Sequence, residues 1–397
     1  MRQQICRLKG KLQNKLESVI VILTILNKIE FIGDGKMFDK ENLSLRLNTF
    51  RNKLKDLKID GALITKRENY MYLSGFSGTS ANLLITDQKA YLLTDFRYVE
   101  QAAKQAPLFE IVQHKPDILD TISEIVNSEG IKKLGFEDKS VTFFQYKGYA
   151  DRMKTTELFS IGSVVDDLRA IKDEQEIEII NKAVQIADKA FDHVLTLIKP
   201  GITELDVAAE LEYKIKKLGA SGASFETIVA SGIRSSMPHG IASIKKLELG
   251  DTITMDFGAM YNHYCSDMTR TVFLGQPKGE MINIYNIVLH AQLTSEKGAV
   301  RGRTGKEVDK LARDIIYGNG YEGKFGHGLG HGVGLEIHES PRLSMGGERI
   351  LENNMAVTIE PGIYVEGLGG VRIEDTIIIK DDNPMVLTKS TKEIIIL

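Results

Sequence analysis

TITMDFGAMYNHYCSDMTRTVF, residues 252–273, is the stretch that decides the fold. Its alternating polar and apolar residues predict two β-strands, and a turn at Tyr261 and Asn262 would place Asp256 directly opposite Asp267. Side chains opposite each other in a sheet lie about 5 Å apart, so two carboxylates in this arrangement repel each other. A cation between the strands would remove that repulsion.

A second acidic hairpin is predicted at residues 355–379, MAVTIEPGIYVEGLGGVRIEDTIII. A turn centred on Gly367 sets Glu360 opposite Glu374. Because Pro361 has no N–H for the ladder, this strand is predicted to be an edge or to carry a bulge, and its register could slip by one residue. If the two hairpins face each other, their four carboxylates would hold two divalent metal ions, which predicts a two-metal hydrolytic site.

The alternative is that the four acids are solvated on an open sheet face. The neighbours of Asp256 on the opposite strand face, Met255 and Phe257, are apolar, and glycines surround both hairpins. Opposed carboxylates are costly when they are partly buried, so a metal site is the favoured interpretation.

Histidines cluster between the hairpins in GHGLGHGVGLEIHESP, residues 326–341, at His327, His331 and His338. The alternating glycines argue strongly against a helix and predict a strand or loop that approaches a ligand closely. His239, in the segment SGIRSSMPHG, occupies the matching position before the first hairpin. Imidazole is a common metal ligand and titrates near neutrality, so these histidines are predicted to belong to the same site.

A faint internal repeat relates residues 200–220, PGITELDVAAELEYKIKKLGA, to residues 301–321, RGRTGKEVDKLARDIIYGNGY. Each copy has a threonine followed three residues later by an acid, which is the signature of a helix capping box. Each copy also follows a predicted helix and precedes a histidine-bearing loop and an acidic hairpin. The sequence therefore predicts a pseudo-twofold domain with the metal site between its halves.

The organisation along the chain predicts an α/β (α+β) protein of two domains after an N-terminal extension. Residues 37–168 alternate apolar runs with amphipathic stretches, as in an α/β domain, and residues 169–397 form the pseudo-twofold domain. The extension, residues 1–36, is net basic with an apolar run too short to span a bilayer. It is either a secretory signal or anchor, or it lies upstream of a true start at Met37.

Composition excludes some partners. A formal net charge of −3, spread along the chain, gives no electrostatic reason for nucleic-acid or membrane binding. Two cysteines far apart in the sequence offer no disulfide framework, which favours a cytoplasmic location.

Four motifs resemble the metal-binding signatures of the pita-bread metallopeptidases, and in particular aminopeptidase P and prolidase. They are TMDFGAMYNHYCSDMTRT, GHGLGHGVGLEIHESP, TIEPGIY and GGVRIED. The resemblance runs from Asp39 to the end of the chain and implies a pita-bread catalytic domain. It also implies that two metal ions are bound by five residues, namely Asp256, Asp267, His331, Glu360 and Glu374.

The same resemblance places His239, His327, His338 and Arg372 near the substrate. The oxygen-rich donor set favours Mn²⁺, with Co²⁺, Fe²⁺ or Zn²⁺ as alternatives. Glu360 is the predicted general acid–base, and His239 and His338 are predicted to hydrogen-bond the scissile carbonyl. Arg372 would either orient Glu374 or hold a substrate carboxylate.

The resemblance implies an Xaa-Pro aminopeptidase that acts on short peptides with proline at the second position, and by likeness a homodimer. The alternative is an Xaa-Pro dipeptidase, or prolidase, which acts only on dipeptides. Methionine aminopeptidase shares the ligands but usually lacks a large N-terminal domain. A catalytically inactive peptide-binding module is disfavoured, because metal ligands are lost in such relatives and all five are present here.

Overall fold

The computed structural model of the chain describes residues 38–397. The predictions for residues 1–36 lie outside the described residues. Contacts divide the chain into one unit that ends at Val165 and a second unit, Asp166–Leu397. The boundary predicted between residues 168 and 169 falls inside the helix Val164–Ala170.

The first unit is a mixed α/β layer structure. Its helices are α1 (Lys40–Asp56), α2 (Arg67–Ser74), α3 (Val99–Gln105), α4 (Ile118–Ser128) and α5 (Phe143–Arg152). Its strands are β1 (Gly61–Ile64), β2 (Asn82–Thr86), β3 (Ala90–Thr94), β4 (Glu110–Gln113), β5 (Lys133–Phe136) and β6 (Glu157–Ser160). They form one sheet in the order β4-β3-β2-β1-β5-β6, in which β2 is antiparallel to both of its neighbours.

Burial explains why these segments form strands. The strands β1 to β3 are apolar and almost wholly buried, and Leu63, Leu84 and Leu93 pack against Ile122 of α4. The long amphipathic helices α1 and α4 begin at aspartate N-caps, whose side chains accept from backbone amides of the first turn. The apolar runs of this domain therefore form the strands β1 to β3.

The second unit also combines helices and strands. Its helices are α6 (Val164–Ala170, which begins at the boundary), α7 (Glu174–Leu195), α8 (Glu204–Lys217), α9 (Gly279–Gly298) and α10 (Gly305–Gly318). Its first strands are β7 (Gly222–Ala223), β8 (Ile228–Ser231), β9 (Thr252–Phe257), β10 (Ala259–Tyr261), β11 (Tyr264–Cys265) and β12 (Met268–Phe273). The later strands are β13 (Gly330–Gly332), β14 (Glu339–Leu343), β15 (Ala356–Ile359), β16 (Gly362–Val365), β17 (Gly369–Arg372), β18 (Asp375–Ile378) and β19 (Met385–Val386).

Two similar halves build this unit, as the repeat predicts. The helices α8 and α10 both begin after a threonine in a complete capping box, Thr203 with Asp206 and Thr304 with Glu307. The threonines also make equivalent β-bridges, to Lys246 in one half and to Ile350 in the other. Each half then contributes an antiparallel sheet, β12-β9-β8 in the first and β14-β13-β15-β18-β19 in the second.

The first acidic hairpin differs in register from the prediction. Asp256 pairs with Thr269, and the turn lies at Asn262 and His263, so Asp267 falls diagonally from Asp256 on the same face. Both turn residues have positive φ angles, 45° and 68°, which is the backbone of a type I′ turn. The prediction of directly opposed acids is therefore wrong by two residues, although the two acids share a face.

The second hairpin has the predicted register. Ile359 pairs with Asp375 and Gly362 pairs with Arg372, which sets Glu360 opposite Glu374 between them. Pro361 interrupts the strand without shifting its register, and the freed Glu360 amide donates to the Leu329 carbonyl at 2.8 Å. Among residues 38–397, no helix combines the length and apolar content needed to cross a membrane.

Candidate metal centre

Four of the five predicted ligands converge at the meeting of the two halves. Donor atoms of Asp267, His331 and Glu374 lie within 4.8 Å of one another. His331 Nε2 is 3.5 Å from Asp267 Oδ2 and 3.3 Å from Glu360 Oε1. In the first half, Asp267 directly precedes β12. In the second half, His331 lies in β13, Glu360 directly follows β15 and Glu374 directly precedes β18.

Asp256 joins this group through Arg372. The guanidinium of Arg372 donates to Asp256 Oδ2 at 2.6 Å and to Thr269 Oγ1 at 3.0 Å. Thr269 in turn donates to Glu374 Oε2 at 2.7 Å. One arginine therefore orients an acid from each hairpin, which is the first of the two roles predicted for it.

Burial and mutual repulsion raise the pKa values of the clustered acids. Burial, followed by the charges of Glu374, Asp256 and Glu360, raises the pKa of Asp267 well above its usual range. Burial and the charges of Glu360 and Asp256 likewise raise the pKa of Glu374. Burial raises the pKa of Asp256 as well, although Arg372 opposes that effect. A divalent cation among these acids would favour their ionised forms.

Two carboxylate oxygens fit a cation especially well. Asp256 Oδ1 and Glu374 Oε1 are buried and have no hydrogen-bond partner among the described residues. An unsatisfied buried carboxylate oxygen is costly, and a bound metal ion would satisfy it. The residues present therefore fit a divalent metal, and their carboxylate and imidazole donors are ligands that such ions take.

The backbone fixes the orientation of His331. Its Nδ1 lies 3.1 Å from the carbonyl oxygen of Gly332, to which it donates as the protonated nitrogen. That tautomer leaves the lone pair of Nε2 directed toward Asp267 and Glu360. Without a metal ion, Nε2 would instead carry a proton: burial raises the pKa of Glu360, but the His331 hydrogen bond and the charges of His331, His327 and Arg372 together lower it to about 2.

A tyrosine connects His327 to the same network. Tyr364 OH accepts from Arg372 at 2.8 Å and lies 2.9 Å from His327 Nε2. Burial raises the pKa of Tyr364 to about 12, so its hydroxyl stays protonated and donates to His327. His327 Nδ1 then donates to the Gly328 carbonyl at 2.7 Å. His327 is thus held by its neighbours with both ring nitrogens engaged.

A cavity of about 490 Å³ opens onto the donor cluster. His239 and His338 line it together with Arg342, and the rings of His338 and His331 are 4.3 Å apart, edge to face. Burial and the nearby charge of His331 lower the pKa of His338 to about 4, so it is neutral at neutral pH. All nine residues predicted for the site therefore lie in or beside one cavity.

The strand that follows His338 is anchored by a buried charge cluster. Glu339 accepts from Arg169 and Lys172 at 2.5 Å each, and all three side chains are buried. The two cations outweigh the effect of burial and lower the pKa of Glu339. Helix α6 and the residues after it thereby hold β14 beside the cavity.

Sequence reasoning missed Tyr364 and Arg342. Tyr364 shares a strand face with Arg372 and Glu360, so the two-residue period of the hairpin could have identified it. Arg342 lines the cavity, and its guanidinium has no hydrogen bond or ion pair with the residues that the structure describes. Its proximity to the cluster depends on how β13 and β14 pair, which local patterns do not reveal.

Comparisons with known proteins match this geometry. Residues 178–381 match metallopeptidase family M24, and residues 46–171 match the creatinase/prolidase N-terminal domain. An Xaa-Pro dipeptidase of Pyrococcus furiosus is 43% identical over 337 residues, which cover 85% of this chain and 95% of that protein.

Solved structures share the architecture. An Xaa-Pro dipeptidase from Bacillus anthracis is 48% identical with a TM-score of 0.88, over 90% of this chain and 100% of that one. An X-Pro aminopeptidase from Thermotoga maritima is 39% identical with a TM-score of 0.82, over 87% and 100%. The prediction of an α/β domain followed by a pita-bread catalytic domain is confirmed. The chain belongs to metallopeptidase family M24.

Proposed function

We propose that this protein is a metal-dependent Xaa-Pro dipeptidase, which hydrolyses the bond between an N-terminal residue and a C-terminal proline. The P. furiosus and B. anthracis proteins that carry this name are 43% and 48% identical to the chain. The T. maritima protein, described as an X-Pro aminopeptidase, is less similar at 39%. The similar proteins therefore favour the dipeptidase over the aminopeptidase that was the leading prediction.

The observation that carries the proposal is an arginine side chain, Arg342, that lines the cavity. A dipeptide presents a free proline carboxylate, whereas a longer peptide presents an amide there. Arg342 lines the cavity without a protein partner, while Arg372 is 3% exposed and already donates to four acceptors. Arg342 would therefore bind the carboxylate of the dipeptide as a charge-assisted pair.

The proposed cofactor is a pair of divalent ions, with Mn²⁺ the first choice and Co²⁺, Fe²⁺ and Zn²⁺ as alternatives. The five residues that would hold them are Asp256, Asp267, His331, Glu360 and Glu374. When bound, the ions would lower the pKa of water and polarise the scissile carbonyl.

The side chains around the donors would handle the protons. Glu360, with a pKa of about 2, is ionised at neutral pH and can accept a proton from the attacking water at Oε1. The same proton would pass to the proline nitrogen as the C–N bond breaks. His338, with a pKa of about 4, is neutral at neutral pH. Its ring N–H would donate a hydrogen bond to the oxygen of the scissile carbonyl, where negative charge develops. His239 would donate from the neighbouring wall of the cavity.

The test is hydrolysis of Met-Pro and of Met-Pro-Ala by protein that has been stripped of metal and then reloaded with Mn²⁺. We expect Met-Pro to be cleaved only after reloading and Met-Pro-Ala to be cleaved far more slowly. Arg342→Met should lower kcat/KM for Met-Pro by about 10- to 100-fold, because one charged hydrogen-bonding group is lost. Arg303→Met, an exposed arginine outside the cavity, is the matched control.

Cleavage of the tripeptide with no cleavage of the dipeptide would reject the dipeptidase assignment and favour the aminopeptidase. Equal activity of Arg342→Met and wild type on Met-Pro would reject the role of Arg342. Hydrolysis of Met-Pro by the metal-stripped protein would contradict the proposal that the enzyme requires divalent ions.

We further propose a cytoplasmic homodimer. The cytoplasmic location rests on the sequence, whose two cysteines lie far apart and offer no disulfide framework. The dimer rests on the family resemblance alone, and sedimentation equilibrium at micromolar protein would test it. A single monomeric species would reject it.

A further inference from the structure

One buried carboxylate anchors both ends of the segment that carries His239. Glu204 is 0% exposed and is the first residue of α8. Its Oε1 accepts from the amide and hydroxyl of Ser231, at 2.7 Å and 2.8 Å, just before the segment. Its Oε2 accepts from the amide and hydroxyl of Ser243, at 3.1 Å and 2.7 Å, just after the segment. The carboxylate thus closes residues 232–242 into a loop of fixed span.

An arginine inside the segment neutralises this carboxylate. Arg234 Nε lies 3.1 Å from Glu204 Oε2, and its NH2 donates to the Ile241 carbonyl at 2.7 Å. The guanidinium therefore crosses the loop from one side to the other. A buried carboxylate is retained at low cost when its countercharge and hydrogen bonds are all present, as they are here.

The equivalent position in the other half shows that helix α8 itself does not need this glutamate. Glu204 N donates to Lys245 O at 3.0 Å, and Gly305 N, the first residue of α10, donates to Arg349 O at 3.2 Å. A Cβ at Gly305 would lie 2.1 Å from the Arg342 carbonyl oxygen, so the backbone itself fills that space. The capping boxes serve both helices equally. The Glu204 side chain therefore acts on the loop.

The anchored loop is one wall of the cavity. Pro238, His239 and Ile241 line it, and the Pro238 carbonyl accepts from Arg372 at 3.1 Å. We propose that Glu204 is a positioning residue that holds this wall, and with it His239, in place against the substrate. This inference rests on the proposed function only for the part that concerns His239 during hydrolysis.

Hydrogen exchange tests the anchor without any substrate. In Glu204→Gln, the amides of Ser231 and Ser243 should exchange at least tenfold faster than in wild type, because their acceptor has lost its charge. Glu137→Gln is the matched control, since Glu137 is a buried carboxylate of the first unit that also accepts from two backbone amides. Unchanged exchange at both serines in Glu204→Gln would overturn the proposal. If that variant does not fold, Ser243→Ala removes one bond and keeps the charge.

A double-mutant cycle tests the action through His239. We expect Glu204→Gln to lower kcat/KM for Met-Pro about tenfold or more in the wild-type background and less than twofold in His239→Ala. An equal loss in both backgrounds would reject the link to His239. If the wild type cleaves no Xaa-Pro dipeptide, the proposed function fails, and hydrogen exchange still decides whether Glu204 holds the wall.

Discussion

Asp267 lies so close to Glu374 that the pair is unfavourable without a cation. We expect Asp267→Asn to raise the stability of the metal-free protein by on the order of 1 kcal/mol, because one buried charge is removed. For a domain of this size that is a rise in Tm of about 2–4 °C. The same variant should lose metal-dependent hydrolysis and the rise in Tm on adding Mn²⁺.

Thermal unfolding of chelated and Mn²⁺-loaded protein measures both effects. Asp382→Asn, an exposed acid, should behave as wild type. A full Mn²⁺-induced shift in Asp267→Asn would show that Asp267 is not a ligand.

Glu339 gives the second prediction for a single residue. Glu339→Gln would leave Lys172 buried without its carboxylate partner, while Arg169 would keep Asp166 and Glu336, at a cost of about 3 kcal/mol. Because folding lowers the pKa of Glu339, its stabilisation is fully present above the ordinary value of 4.5. It is lost as the pH falls through the lower, folded-state pKa.

Urea unfolding at pH 7, 5 and 4 checks this dependence. The difference between wild type and Glu339→Gln should be constant from pH 7 to 5 and should shrink below about pH 4.5. Glu366→Gln, at an exposed turn, is the control. A difference that grows on acidification would contradict the sign of the pKa shift.

At the scale of the element, alanine substitutions at two glycines of α10 distinguish the effect of side-chain packing from that of helix propensity. Gly305→Ala would place a Cβ 2.1 Å from a backbone oxygen of Arg342, whereas Gly318 at the other end of α10 has open space. We expect the first substitution to cost about 1–3 kcal/mol and the second to stabilise by up to about 1 kcal/mol. Urea unfolding of the two variants decides, and equal stabilities would show that the contact at Gly305 relaxes freely.

The hairpins show what the sequence predicts about elements. Gly367, with φ of 76°, marks the second turn, so the register of Glu360 and Glu374 follows from a residue that favours such a backbone. In the first hairpin His263 takes φ of 68° without being glycine, and local rules placed the turn one residue too early. The two acids predicted as ligands still lie on one strand face, because a shift of two residues leaves the alternation of side chains unchanged. The short helices α2, α3 and α5 were missed, since seven to ten residues carry little periodicity.

The C-terminal tail links both halves at the scale of the whole second unit. Lys392 pairs with Asp375 of β18 and Glu296 of α9. The amide of Leu397 donates to the carbonyl of Phe273 in β12, and the Phe273 amide donates to the Ile395 carbonyl. Lys392→Met would remove the cation between Glu296, which is half-buried, and Asp375, which keeps its ion pair with Arg270, at a cost of about 3 kcal/mol. Chemical denaturation checks the loss, with Glu393→Ala, an exposed neighbour, as the control. Equal midpoints for the two variants would contradict it.

The division of the predicted metal ligands between the halves has a last consequence. Asp256 and Asp267 precede the connection at residues 274–278, and His331, Glu360 and Glu374 follow it. A chain nicked by a protease at that connection would be left as two fragments, neither of which holds a complete donor set. Peptide cleavage would then require the fragments to reassociate, so complementation between separately expressed fragments would report directly on how strongly the halves bind each other.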